Sequence, residues 1–203
     1  MTKTPSQENV SLIVDNVRGF AGRHEIPIRP LTIFVGENSS GKTTAMAALS
    51  LVSERFKFPF LVDFNAPPFQ MGGYETIATY RGGRAGREES FSLGYSFAGA
   101  EGASKELATF VDKHGEPLLT RWQSATADLS FSVATDYKDL TVDVQRAGHK
   151  PETFTMSIGG RDEDLRFLIW EAVRSSDKGR FLERANRLFR PQSPLRSVLS
   201  IAP

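Results

Sequence analysis

The chain has 203 residues, 39% hydrophobic and 24% charged, which is the composition of a folded domain with a core of its own, not of a disordered tail. Its 25 lysines and arginines nearly cancel its 24 aspartates and glutamates, so overall charge selects no nucleic-acid partner and any basic surface is local. The absence of cysteine excludes disulfides, thiolate-bound zinc and thiol catalysis, and His24, His114 and His149 lack the spacing of a metal site.

The start, "MTKTPSQENV", is too polar for a signal peptide, and no apolar run approaches the about 18 residues that cross a membrane. The expectation is a cytoplasmic protein. "SLIVDNVRGFAG" then reads as a strand of Leu12, Ile13, Val14 and Val17, closed by a glycine-bounded turn. "RHEIPIRP" alternates Ile26 and Ile28 with polar neighbours, the period of a half-buried strand. Pro30 breaks the chain before "LTIFV", an apolar run suited to a strand covered on both faces. "GENSSGKTT" follows, and "TTAMAALSLVSERF", rich in Ala, Leu and Met, reads as a helix.

Pro67-Pro68, Gly72-Gly73 and Gly82-Gly83 make the next stretch loop-rich, with short extended pieces. Over residues 90–155 the segments "SFSLGYSF", "PLLTRWQ", "ADLSFSVA", "DLTVDVQ" and "ETFTMSI" alternate apolar with polar and predict an antiparallel sheet of hairpins. "GASKELATFVDKHG" fits a helix or a strand. From Asp162 the period becomes helical in "DEDLRFLIWEAVRSS" and "KGRFLERANRLFR", and "PLRSVLSIAP" returns to a strand-like run. The expected architecture is α/β. A P-loop core occupies residues 1–89, an antiparallel β-lobe 90–158, and a helical segment with a terminal strand 159–203.

Residues 36–44 have the spacing of a phosphate-binding loop between a strand and a helix. Gly36 and Gly41 let the backbone wrap phosphate oxygens with its N–H groups turned inward, and the helix that begins near Lys42 adds the positive end of its dipole. Lys42 would reach the β- and γ-phosphates, and the Thr43 hydroxyl would bind Mg2+. Ser39, Ser40 and Thr44 would add N–H or hydroxyl donors. Hydrolysis also needs a carboxylate on a buried strand and an acid to orient water. No apolar run ends in Asp-Glu. Asp63 follows "FPFLV" but precedes Phe64 and reads as a surface turn residue, and Glu171 lies in a helical pattern that suits a salt bridge.

At these residues the chain resembles the amino terminus of ABC-type ATPases related to SMC proteins, RecF and the OLD nucleases, closest to bacterial "AAA family ATPases", many of which serve in anti-phage defence. Asn16, Arg18 and Phe20 match the family's turn; Gly36, Asn38, Ser40, Gly41, Lys42 and Thr43 match its loop. The resemblance extends over residues 11–80. It implies an ABC/SMC-like head binding ATP and Mg2+, with Gln70 of "DFNAPPFQMGGYETIATY" as the Q-loop glutamine that reaches Mg2+ and the attacking water. It also implies that Arg18 touches the phosphates or the loop. In the family, ATP is sandwiched between two nucleotide-binding units, so a second unit (a homodimer or an ABC-type partner) and a nuclease or other effector subunit are implied partners. A signature element would be "TMSIGGRDED", with Ser157, Gly159 and Gly160; a strand-to-helix turn capped by Asp162 suits it better.

Arg81, Arg84 and Arg87 lie on a glycine-rich loop, and Arg180, Arg184, Arg187 and Arg190 fall on one helical face, with Arg196 beyond. They would track a nucleic-acid backbone or form a solvated or docking face. The functional expectation is ATP–Mg2+ binding, with hydrolysis driving a conformational change in a defence or DNA-repair assembly. The missing acids would come from further sequence or another chain. The rival is a non-hydrolysing nucleotide sensor or interaction subunit. A GTPase is disfavoured by the lack of Asn-Lys-x-Asp, and a kinase would need a lid of paired arginines.

Overall fold

A computed structural model describes residues 9–54, 57–99, 102–136 and 138–157. The alternating apolar segments fold as strands: β1 (Asn9–Val17), β2 (Phe20–Ile28), β3 (Tyr80–Gly82), β4 (Gly86–Arg87), β5 (Ser90–Gly99), β6 (Gly102–Lys113), β7 (Glu116–Thr126), β8 (Leu129–Thr135), β9 (Asp139–Arg146) and β10 (Glu152–Ser157). Helix α1 spans Lys42–Ser53 and the one-turn α2 spans Tyr74–Ile77. Eight strands form one sheet in the order β10-β9-β8-β7-β6-β5-β1-β2, and every pairing in it is antiparallel. The segment left undecided between helix and strand is β6. It alternates, and β5 and β7 pair with it on either side.

The register sorts the side chains onto two faces. Val14, Leu93, Ala108, Trp122, Val133 and Val142 stand opposite one another across neighbouring strands and share one face. That face is buried beneath the long connection from β2 to β5. α1 supplies Ala47, Ala48 and Val52, and the next stretch supplies Phe58, Phe64, Met71, Tyr74 and Ile77. Small residues on α1 let the helix lie close to the sheet. Phe64 meets Phe91 and Phe110 edge-on at 5.7 and 5.1 Å, and Trp122 meets Phe60 and Phe131 edge-on at 4.8 Å each. Each large side chain so buried contributes roughly 1.5–3 kcal/mol. The other face carries Gln123, Ser132, Asp143 and Thr153 at matching register positions, open to water from β7 to β10, whereas Leu107 and Ile13, in line with Gln123, are buried.

This corrects the expected fold. Strands take 54% of the described residues and helices 13%, and the architecture is an antiparallel β-sheet with two helices on one face, not an α/β P-loop NTPase head. The region read as a separate β-lobe is continuous with the amino-terminal hairpin, because β5 pairs with β1 from Asn9↔Ala98 to Asp15↔Ser92. "LTIFV" is not a buried strand either. Leu31, Ile33 and Val35 are 80%, 73% and 84% exposed. The run turns away after Pro30, where Thr32 Oγ1 bonds the Arg29 backbone, and among the described residues no strand flanks it. An apolar run becomes a central strand only where neighbours pair with both its edges. The predicted carboxyl-terminal helices and terminal strand, in 158–203, lie outside the described residues.

Candidate functional site

The site is built around the tight turn that joins β1 to β2. Asn16 sits at an irregularity in the pairing, and both Asn16 (φ 56) and Arg18 (φ 49) hold left-handed backbone. Asn16 is fixed on every side. Its Oδ1 accepts from Gly22 N at 2.8 Å and from Arg81 Nη2 at 3.3 Å, and its carbonyl accepts from Thr79 N at 2.9 Å. Arg18 N donates to Ile77 O at 2.7 Å, and Thr79 Oγ1 donates back to Arg18 O at 2.9 Å. The turn is thereby sewn to the segment after α2.

Residues 36–44 approach the turn from one side. A Cβ on Gly41 would lie 3.0 Å from the Phe20 ring, so only glycine lets the loop lie against it. Gly41 (φ 89) is also the N-cap of α1 and, having no side chain, leaves the first N–H groups of the helix uncapped. Ser39 (φ 66) adds a second left-handed position. Lys42 Nζ donates to Gly36 O at 2.8 Å, Glu37 O at 2.6 Å and Ser40 Oγ at 3.3 Å, so the ammonium spends its three protons on the loop itself. Gly36, Asn38, Ser39, Ser40 and Thr43 are exposed. Thr44 is 6% exposed and points into the core, which leaves its backbone N–H as the group it offers at the helix start.

Gln70 lies on a second loop, held by hydrogen bonds of its own. Met71 N donates to Phe64 O at 2.7 Å, and Gly72 N donates to Asn65 Oδ1 at 2.9 Å. Arg18 Nη2 donates to Met71 O at 2.8 Å and Arg18 Nε to Thr76 O at 3.1 Å. Gly73 packs so closely that a Cβ would stand 2.5 Å from Gly115 O. Gln70 itself is exposed with φ 39. Asp63 fits its reading as a turn residue, its Oδ1 accepting from Asn65 N at 2.9 Å.

The sequence-derived residues thus fall into two loops joined by one turn: residues 36–44 against Phe20, and Gln70 beside the carbonyl that Arg18 holds. Every hydrogen bond described for the Arg18 guanidinium goes to a main-chain oxygen, Met71 O on the second loop or Thr76 O in α2. Thr76, Thr79 and Glu88 went unnoticed in the sequence, because nothing in their local pattern shows that the chain returns to β1 there. Of the arginines on the glycine-rich loop, Arg81 pairs with Glu88, and Arg87 donates to Ala78 O at 2.6 Å while its guanidinium lies 5.4 Å from the Tyr80 ring centroid. Arg84 is exposed on the 3-10 turn Gly83–Ala85. Ser157 ends β10; Gly159, Gly160, Glu171 and the arginines from Arg180 to Arg196 lie outside the described residues.

Among the described residues no three His, Asp or Glu side chains group as a metal site. A cavity of about 530 Å³ opens on the polar face of the sheet, lined by Arg23, Lys105, Gln123, Ser132 and Asp143. Its charges are matched internally: Lys105 and Arg23 both bond Glu25, and the Lys105 hydrogen bond holds the Glu25 carboxyl below its usual range. Among the described residues, no helix is long and apolar enough to cross a membrane. Comparison with protein-family models, with curated proteins and with solved structures finds no match for this chain.

Proposed function

We propose that this chain binds ATP with Mg2+ through residues 36–44, in a cytoplasmic assembly of the SMC/RecF/OLD-related kind. The observation that carries the reading is the state of Lys42. Its ammonium bridges two carbonyls and a hydroxyl of its own exposed loop, directly beside the uncapped N–H groups of α1. That arrangement suits a polyphosphate, which accepts backbone N–H groups at a helix start and draws the lysine from the carbonyls to its own oxygens. The chemistry of the two residues fits Mg2+ as well, since Thr43 on the first turn of α1 and Gln70 are both exposed and offer a hydroxyl and a carboxamide oxygen. Bound Mg2+ would neutralise charge on the β- and γ-phosphates.

On this reading, the N–H groups of Ser39, Ser40, Gly41, Lys42, Thr43 and Thr44 position the phosphates. Asn38 lines the mouth of the loop, Lys42 offsets γ-phosphate charge, and Gln70 orients water. The acids for hydrolysis come from further sequence or another chain, so binding and turnover separate experimentally. Equilibrium titration with ATP and Mg2+ is expected to show binding by the wild-type chain, weakened about tenfold to a hundredfold in Lys42→Ala through loss of charged hydrogen bonds. Equal affinity in the two proteins rules the reading out. ATP turnover only in the presence of native partners identifies an ATPase, whereas binding without turnover in their presence identifies a nucleotide sensor.

A further inference from the structure

We infer that Arg18 is a positioning residue that holds Gln70 in register with the phosphate loop, an inference that rests on the nucleotide reading above. Gln70 stands in left-handed backbone, which a residue with a side chain keeps only where its surroundings over-determine it. The residue after it supplies that constraint. Met71 is fully buried, and its carbonyl accepts from both Arg18 Nη2 at 2.8 Å and Thr76 Oγ1 at 2.7 Å, which fills both lone pairs. The second arm of the guanidinium holds Thr76 O at 3.1 Å. A planar fork spanning two carbonyls in fixed geometry is a task for arginine, and lysine offers only a point charge.

The other half of the turn gives this clamp its consequence. Phe20, two residues after Arg18, carries the ring against which Gly41 rests, and Thr79 Oγ1 lies within bonding distance of both Arg18 O (2.9 Å) and Phe20 O (3.4 Å). One rigid turn therefore seats the loop of Lys42 through Phe20 and the loop of Gln70 through Arg18. The Asn16-x-Arg18-x-Phe20 spacing is what such a double seat requires. Arg18 acts on the nucleotide through Gln70.

The test uses the full chain, with Arg18→Lys and Arg18→Met beside Gln70→Ala and the double variant Arg18→Lys/Gln70→Ala. Hydrogen exchange without nucleotide is expected to rise at least tenfold at the Met71 and Gly72 amides in both Arg18 variants, and to stay unchanged across residues 36–44. In titrations with ATP, the gain in affinity that Mg2+ confers is expected to fall in Arg18→Lys to the level of Gln70→Ala. The double variant should lose no more, and affinity in EDTA should stay within about twofold of wild type. Additive losses in the double variant, or unchanged exchange at Met71 and Gly72, overturn the inference. Should the wild-type chain bind no ATP, the nucleotide reading falls, and the exchange arm alone decides whether Arg18 clamps the loop. Arg18→Lys, which keeps the charge and the aliphatic stem, covers the case in which Arg18→Met does not fold.

Discussion

Gly41 rests against the ring of Phe20 with no room for a methyl group between them: a Cβ at Gly41 would lie 3.0 Å from two atoms of the ring. This contact fastens the loop of residues 36–44 to the β1–β2 turn and makes glycine necessary at a position that also has φ 89. Gly41→Ala is expected to destabilise the chain by about 1–3 kcal/mol, from the left-handed backbone together with the displaced ring. Phe20→Ala removes the clash but not the backbone cost, so urea titrations of the two single variants and the double should show a coupling of about 0.5–2 kcal/mol. Strict additivity would mean that the ring does not seat the loop.

Tyr74 gives the fold an alkaline limit. Burial, with the charges of Asp112, Glu88 and Glu89, pushes its hydroxyl up to about 12, and the neutral phenol donates to Glu88 O at 2.9 Å. A pKa raised in the folded state stabilises fully below the unfolded value near 10 and is lost as pH rises toward 12. Tyr74→Phe is expected to cost about 1 kcal/mol at neutral pH through the lost hydrogen bond, and to lack the wild type's decline between pH 10 and 12. Parallel curves for the two proteins across that range would refute this.

Trp122 fills the centre of the buried face, yet among the described residues its Nε1 has no hydrogen-bond partner. A buried, unsatisfied donor costs about 1–3 kcal/mol. Replacement by Phe removes the donor along with part of the ring, so the two effects oppose. Trp122→Phe should stay within about 1.5 kcal/mol of wild type in chemical denaturation, against roughly 3–5 kcal/mol for Trp122→Ala. A cost for Phe that matches the cost for Ala would count against this packing.

Ile33 and Ile77 separate the two readings of the β2–β5 connection. Ile77 is 0% exposed and Ile33 73%. Ile77→Ala should cost about 2–5 kcal/mol and Ile33→Ala within about 0.5 kcal/mol. A large loss at Ile33 would instead place residues 31–35 in a buried sheet.

Local period made the hairpins legible. β2, β5, β7, β8, β9 and β10 fall where apolar and polar residues alternate, and β1 where an apolar run, Leu12 to Val14, is buried on both faces. The failure came at "LTIFV", where composition says buried strand but burial depends on partners that a local window does not contain. Fold class was misread for the same reason, because the order that sets β1 between β2 and β5 is a long-range fact. In the candidate site, glycine and lysine spacing is the signal that points to residues 36–44, which form an exposed loop ahead of α1. The task of Arg18 was hidden, because its partners Met71 and Thr76 lie more than fifty positions away.

Whether residues 36–44 hold the phosphates of ATP is decided by amide hydrogen exchange with and without ATP and Mg2+. Protection is expected to concentrate at residues 38–44, with a smaller effect at 70–73, and to be lost at both in Lys42→Ala. Protection that appears instead on the polar sheet face around Lys105, Gln123 and Asp143, or that persists unchanged in Lys42→Ala, would contradict it.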